Sequence, residues 1–452
     1  MEPFLVLLCL LVARAETEAA SYHGTGGGRV GRAAGGAVLL PLRLQAASPP
    51  PANRLRFRHN VSLTVPVAVG TPPQNVTMVL DTGSELSWLL CNGSRHDAPF
   101  DASASSSYAP VPCSSPACTW LGRDLPVRPF CDSSACRVSL SYADASSADG
   151  LLAADTFLLG SSPMPALFGC ITSYSSSTDP SETPPTGLLG MNRGGLSFVT
   201  QTATRRFAYC IAAGQGPGIL LLGGNDTETP LTSPPQQQLN YTPLVEISQP
   251  LPYFDRAAYT VQLEGIRVGS ALLAIPKHLL TPDHTGAGQT MVDSGTRFTF
   301  LLPDAYAALK AEFANQLTRS LDGGLAPLGE PGFVFQGAFD ACFRGTEARV
   351  SAAAAGGLLP EVGLVLRGAE VVVAGAEKLL YRVPGERRGE GEGVWCLTFG
   401  SSDMAGVSAY VIGHHHQQDV WVEYDLRNAR LGFAAARCAD LAIQRLGLGA
   451  HV

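Results

Sequence analysis

Charge is scarce in this chain. Only 15% of its 452 residues are Asp, Glu, Lys or Arg, against 49 glycines and 33 prolines. A sequence so poor in charge and so rich in turn-formers disfavours a helical protein and favours a mostly β one. Positive charge is scarcer than negative, and the formal net charge of -7 argues against nucleic acid as a partner. Long apolar runs are missing too. The one continuous stretch, Pro3-Phe-Leu-Val-Leu-Leu-Cys-Leu-Leu-Val12, is too short to span a bilayer. The end of the chain, Gly447-Leu-Gly-Leu-Gly-Ala-His-Val452, is too short and mixed for a lipid-anchor signal and carries no retrieval signal. The length leaves room for two domains of ordinary size and a large core.

The apolar stretch runs into Ala13-Arg14-Ala15, small residues spaced for cleavage. It reads as a signal peptide of residues 1–15, although no Lys or Arg precedes it. The mature protein is then expected to be soluble and to leave the membrane once the signal is removed. Of 11 cysteines Cys9 departs with the signal, so an even number remains to pair in an oxidising compartment. A zinc site at Cys113, Cys118, Cys131 and Cys136 is the rival reading, disfavoured by wide spacings and by export. Asn60, Asn75, Asn92, Asn225 and Asn240 each head a glycosylation triplet, with Asn75 close to a strand and partly hidden. Residues 16–56 are rich in Gly and Ala with scattered arginines. They suit a basic prosegment or a tail without that role, and Pro49-Pro50-Pro51 suits a stiff linker into the mature domain.

One motif occurs twice. Val79-Leu80-Asp81-Thr82-Gly83-Ser84 returns as Met291-Val292-Asp293-Ser294-Gly295-Thr296. Each copy is followed, a little over a hundred residues later, by an apolar pair and Gly: Leu188-Leu189-Gly190, then Val411-Ile412-Gly413. Two half-chains with one such Asp each imply a duplicated domain with a shared site. The Gly lets the backbone turn sharply, and the hydroxyls bond the carboxylate, which cannot be buried unpaired. If Asp81 and Asp293 meet, they cannot both ionise freely, and one proton is shared. Such a pair can activate a water and protonate a leaving group without a metal or cofactor.

These residues resemble the pepsin-like aspartic proteases, and within them the plant nepenthesin-type branch. The likeness is nearest to the promotion-of-cell-survival subgroup, through Asp81-Thr-Gly-Ser-Glu-Leu-Ser-Trp88-Leu and Val292-Asp-Ser-Gly-Thr-Arg-Phe-Thr-Phe-Leu301. The resemblance implies a mostly β, bilobal acid-protease fold with the cleft between two related lobes. It implies a first lobe at 57–240 with a cysteine-bearing insertion at 92–136, a second lobe at 241–440 and a tail at 441–452. Asp81 and Asp293 would be catalytic. Thr82 and Ser294 would brace the paired loops, Gly83 and Gly295 would make the turns, and Ser84 and Thr296 would bond the carboxylates. Val138-Ser-Leu-Ser-Tyr142-Ala-Asp-Ala-Ser146 matches the flap, with Tyr142 covering substrate and Trp88 bonded to it. Ala145 stands where relatives carry Gly, which implies a stiffer tip. The implied disulfides are Cys91–Cys170, Cys113–Cys136, Cys118–Cys131, Cys210–Cys438 and Cys342–Cys396.

The expected function is that of an aspartic endopeptidase acting on protein or peptide substrates, monomeric, without cofactor and with an acidic optimum. The alternative is a catalytically silent protein of this fold that inhibits secreted cell-wall-degrading enzymes. The chain is expected in the secretory pathway, with the extracellular space (apoplast) favoured and the vacuole or endoplasmic reticulum left open. Pro303 to Leu317 has the Pro-Asp start and apolar spacing of a helix. Residues 384–393 read as a charged surface loop. His414-His415-His416 reads as a solvated turn rather than a metal site, since consecutive side chains do not converge on one ion. Arg193 reads as structural.

Overall fold

Alternating apolar residues set the first hairpin. In Val61–Val69 the side chains of Val65, Val67 and Val69 are buried, and in Gln74–Asp81 those of Val76, Met78 and Leu80 are. The strands pair antiparallel, with Thr64 opposite Val79, so one slip of register would turn every valine outward. The computed structural model describes residues 31–32, 37–46, 61–91, 99–160, 162–175, 185–214, 216–223, 239–321, 325–330, 332–389 and 391–447. Strand Gly187–Gly190 lies parallel to Gln74–Asp81 with Gly190 opposite Asp81, and antiparallel to Trp88–Leu90. The second half repeats the plan. Strand Tyr410–Gly413 lies parallel to Thr290–Asp293 with Gly413 opposite Asp293, and Val411 faces Phe300 of Thr299–Leu301. Each Asp therefore ends a strand flanked by the glycine that trails it in sequence.

A shared sheet joins the two lobes. Its strands run in the order Asn240–Pro243, Arg430–Ala435, Val420–Asp425, Arg206–Cys210, Gly218–Leu222 and Val38–Ala46, and continue into Val61–Val69. Aromatic rings fill the junction. Phe207 and Tyr424 stack at 4.2 Å, and Tyr259 meets Tyr424 edge-on at 4.5 Å. Helix Pro303–Leu321 starts at the Pro-Asp pair seen in the sequence and buries Ala305, Leu309, Phe313 and Leu317 at helical spacing.

Strand Val38–Ala46 lies inside the 16–56 stretch, with Leu40 and Leu42 buried between Gly218–Leu222 and Val61–Val69. It is a core strand, paired with strands of the first lobe. The stretch 441–452 begins inside a helix. Helix Cys438–Leu446 buries Leu441, Ala442 and Leu446 against the shared sheet, because its apolar residues recur every three or four positions. Residues 384–389 and 391–393, expected as a charged surface loop, form the tip of a hairpin between Leu380–Arg388 and Glu392–Leu397, with Arg388 paired to Glu330 and Glu386. The signal peptide, residues 16–30, 33–36 and 47–56, and Asn60, Asn92 and Asn225 lie outside the described residues. Asn75 and Asn240 are exposed on strands.

Three disulfides, Cys91–Cys170, Cys210–Cys438 and Cys342–Cys396, join the partners the resemblance implied. The two in the insertion do not. They are Cys113–Cys131 and Cys118–Cys136, crossed rather than nested. Burial sorts them. Ala117 and Cys118 of the short helical turn Ala117–Leu121 face inward, as does Cys136, whereas Cys131 is exposed beside it on the partner strand. The inward cysteine of the turn thus meets the inward cysteine of the hairpin.

Removing one crossed pair together, Cys113→Ala with Cys131→Ala, should leave the denatured protein without free thiol. The nested alternative, Cys113→Ala with Cys136→Ala, should leave Cys118 and Cys131 titratable by a thiol reagent.

Candidate active site

The two aspartate turns are locked before any chemistry enters. Thr82 N–H donates to Ser294 Oγ at 3.0 Å, and Ser294 N–H donates to Thr82 Oγ1 at 2.9 Å. Each hydroxyl passes its own proton across as well, Ser294 Oγ to Leu80 O at 2.9 Å and Thr82 Oγ1 to Val292 O at 3.4 Å. Both side chains are fully buried. Breaking one partner would strand the other out of water, at a cost of about 1–3 kcal/mol.

This lock brings Asp81 and Asp293 together, and their carboxyl groups share a hydrogen bond. Asp81 Oδ1 accepts from the N–H groups of Gly83 at 2.8 Å and Ser84 at 3.1 Å, and Oδ2 accepts from Ser84 Oγ at 2.5 Å. Asp293 is held in the same way, by Gly295 N–H at 2.8 Å and Thr296 Oγ1 at 2.5 Å. Each turn's glycine lies beneath the carboxylate of the opposite Asp. A Cβ on Gly83 would come within 2.9–3.1 Å of the Asp293 carboxylate, and one on Gly295 would strike Asp81. Alanine at either place would push the pair apart. Burial, and then the charge of Asp293, push the Asp81 carboxyl up to about 7.

The flap hairpin joins Ala135–Ser141 to Ser147–Leu159. Trp88 Nε1–H donates to Tyr142 Oη at 2.6 Å, and the Tyr142 hydroxyl is close enough to Asp81 to feel its charge. At the tip, Ala145 N–H donates to Tyr142 O at 2.9 Å, and Ala145 takes a φ of 62°. That left-handed conformation is the reason a glycine would suit the position, and a side chain there costs about 1–2 kcal/mol.

Sequence reading missed the support beneath the pair. Tyr209 Oη donates to Gln417 Oε1 and lies 2.9 Å from Tyr424 Oη, which in turn is hydrogen-bonded to Thr82. Gln417 Nε2 donates to Ile412 O at 2.7 Å and to Asp293 O at 3.3 Å. Tyr and Gln carry no motif, so only their meeting in space marks them. Glu85 lies just after the first aspartate turn. It is buried, its Oε1 accepts from Leu196 N–H at 2.8 Å, and burial pushes it up to about 7. Arg193 ties the lobes, through its N–H to Ala257 O at 2.8 Å, its guanidinium to Arg256 O at 2.9 Å, and an ion pair with Glu246 at 2.7 Å.

One expectation fails outright. His414, His415 and His416 are not a solvated turn but are buried, at 1%, 8% and 0% exposure. The turn that carries them packs beneath the Asp293 loop, so the backbone that makes the turn also carries the rings inside.

Two lobes of one plan, each giving one aspartate to a shared pair under a tyrosine-tipped hairpin, define a pepsin-like fold. The comparisons agree. Residues 64–224 match the family described as Xylanase inhibitor N-terminal, and 258–435 match Xylanase inhibitor C-terminal. The chain is 51% identical over 424 residues to Aspartic proteinase PCS1 of Arabidopsis thaliana, covering 91% of this chain and 90% of that one. It is 30% identical to Aspartic proteinase nepenthesin-2 of Nepenthes gracilis, covering 82% of this chain and 77% of that one. Among solved structures, edgp aligns with a TM-score of 0.63 at 19% identity, covering 90% of this chain and 96% of that one. Basic 7S globulin from soybean aligns with a TM-score of 0.59 at 18% identity, covering 90% and 99%; at these identities the likeness is one of fold. The chain belongs to the plant pepsin-like aspartic proteases.

The raised pKa values give a signed prediction. In the unfolded chain Asp81 and Glu85 ionise near their ordinary values of 3.8 and 4.5, whereas folding holds both protons to about 7. Their contribution to stability is therefore whole below about pH 4 and lost as pH rises through 7. Asp81→Asn removes one such group, so it should raise the melting temperature at pH 7, by a few kcal/mol of added stability, and change it little at pH 4.

Proposed function

We propose that the protein is an endopeptidase that cleaves peptide bonds with a water held between Asp81 and Asp293. The observation that carries this reading is the carboxyl pair brought together by the Thr82–Ser294 lock, in which burial and the charge of Asp293 push Asp81 up to about 7. The ionised carboxylate takes a proton from the water, and the water oxygen bonds to the carbonyl carbon. The protonated partner donates to the carbonyl oxygen as it becomes tetrahedral. The C–N bond then breaks, the amine leaves with a proton from the pair, and the second product is a carboxylic acid. Tyr142 closes over the bond and shields the water from bulk solvent. Trp88 fixes where Tyr142 closes.

The substrate is an extended stretch of polypeptide, because the pair lies between two lobes under a hairpin that crosses from one side. No helix among the described residues is long and apolar enough to cross a membrane. We place the protein in the secretory pathway, reaching the extracellular space, and the five disulfides support that setting. We also propose that it acts as a monomer.

A second reading has one specific observation in its favour. The two family models that match are named for xylanase inhibition. On that reading the chain binds and blocks a secreted cell-wall-degrading enzyme. Retention of both aspartates, their hydroxyl and glycine partners, and the Trp88–Tyr142 bond favours the endopeptidase.

Cleavage of an unstructured protein between pH 3 and 6 decides between them. Activity abolished by Asp81→Asn and by pepstatin establishes the pair; an inactive, correctly disulfide-bonded protein that captures a xylanase supports the second reading. Within the endopeptidase reading, Trp88→Phe should lower kcat/KM about tenfold, the worth of one hydrogen bond to the flap.

A further inference from the structure

The three histidines after Gly413 stand outside the dyad chemistry, yet each is fastened to the turn that carries Asp293. His414 N–H donates to Thr296 O at 2.8 Å, and its ring Nδ1 lies 3.1 Å from Ser294 O. His415 N–H donates to Arg297 O at 2.8 Å. His416 Nδ1 lies 2.7 Å from Thr299 Oγ1. Three consecutive residues thus grip the turn between Ser294 and Thr299.

The partners fix the proton positions. A carbonyl only accepts, so His414 donates from Nδ1 to Ser294 O. Thr398 Oγ1 gives its proton to Lys378 O, so it accepts from His416 Nε2–H at 2.8 Å. Thr299 Oγ1 accepts from Gly413 N–H at 3.2 Å and has its own proton left for His416 Nδ1. His416 is therefore neutral with both ring nitrogens used. His415 bonds the Glu377 backbone and packs edge-on against Phe298 at 5.1 Å, while its Nε2 is buried without a partner. The corresponding turn of the first lobe is held by Met191 N–H to Asp81 O and by Asn192 to Ser84 O and Gly83 O, groups that do not titrate.

We propose that His414 and His416 are positioning residues for Asp293, holding its turn through their rings, and that protonating His416 releases the turn. The proposal rests on the reading of Asp81 and Asp293 as the cleaving pair. A second proton on His416 would set an N–H against the Thr299 hydroxyl, reversing that bond. It would also place a cation among cations. The Lys378 ammonium and the Arg297 guanidinium face the cluster, with Tyr381 beside Arg297. Glu377 and Asp419 lie toward Lys378. Burial is the main cause that holds His416 down at about 3 and His415 well below the usual histidine range. The stability contributed by these neutral rings is whole above about pH 6.5 and is lost as pH falls toward 3. The brace thus opposes the carboxyl groups of the first lobe, which favour acid.

The test compares the wild-type chain, His416→Gln, His414→Ala and His414→Asn, with Asp81→Asn as the inactive reference. Two quantities are measured: kcat and KM on an unstructured peptide, and hydrogen exchange of residues 290–301 without substrate. His416→Gln should lower kcat about tenfold, leave KM within about threefold, and speed exchange of 290–301 while 79–86 in the first lobe stays protected. His414→Ala should act in the same direction. His414→Asn, whose amide can donate to Ser294 O, should recover most of the loss. In the wild type, exchange of 290–301 should rise on acidification toward pH 3 before that of 79–86. Unchanged kcat and exchange in folded His416→Gln and His414→Ala would overturn the proposal, and so would exchange that rises equally in both lobes. Should His416→Gln fail to fold, His414→Ala decides with the same readouts. Should no peptide be cleaved, the cleaving-pair reading falls, and the exchange measurements alone still decide whether the brace exists.

Discussion

The exchange of hydrogen bonds between Thr82 and Ser294 is the interaction on which the rest depends. It joins turns 212 residues apart in the chain into one rigid piece. Neither hydroxyl has water to fall back on, so the two turns hold together or each leaves a polar group stranded. Everything near the pair follows from it. The glycines must be bare because the opposite carboxylate sits where a Cβ would be. The carboxyls must share a proton because the lock holds them within bonding distance. The flap tyrosine is held above the pair by its bond to Trp88.

The same two turns are supported unequally. In the first lobe the turn rests on Met191 and Asn192, and a buried Glu85 lies behind it. In the second it rests on three histidines and Gln417. Duplication set the geometry, and the residues filling it have diverged in chemical type. The shared sheet and its Tyr209–Gln417–Tyr424 network lie beneath both and couple them.

Much of this was legible in the sequence because the signals were local. Asp-Thr-Gly-Ser and Asp-Ser-Gly-Thr carry their turn glycine and their hydroxyls within four residues. Val61–Val69 and Pro303–Leu321 carry their own periodicity. The failures share one cause: they concern which face of a segment ends up inside. Three histidines look polar, and only the packing of their turn beneath the Asp293 loop buries them. Val38–Ala46 gave no sign of a core strand because its two partners, Gly218–Leu222 and Val61–Val69, come later in the chain. The sequence left the pairing of the insertion cysteines open, and inward or outward direction decided between them. Tyr209 and Tyr424 are ordinary strand residues until the sheet sets them side by side.

The shared sheet has a consequence for how the molecule is made. Its strands come from residue 38 at one end of the chain and residue 435 at the other. Contacts of such separation close slowly, since the long intervening loop must first lose its freedom. During synthesis the first lobe therefore emerges with Arg206–Cys210 unpaired on the side that Val420–Asp425 will later occupy. That strand waits as an open edge of mostly apolar residues until nearly the whole chain has been released. The Cys210–Cys438 bond is then available only at the end, and it records that the last strands have found the first.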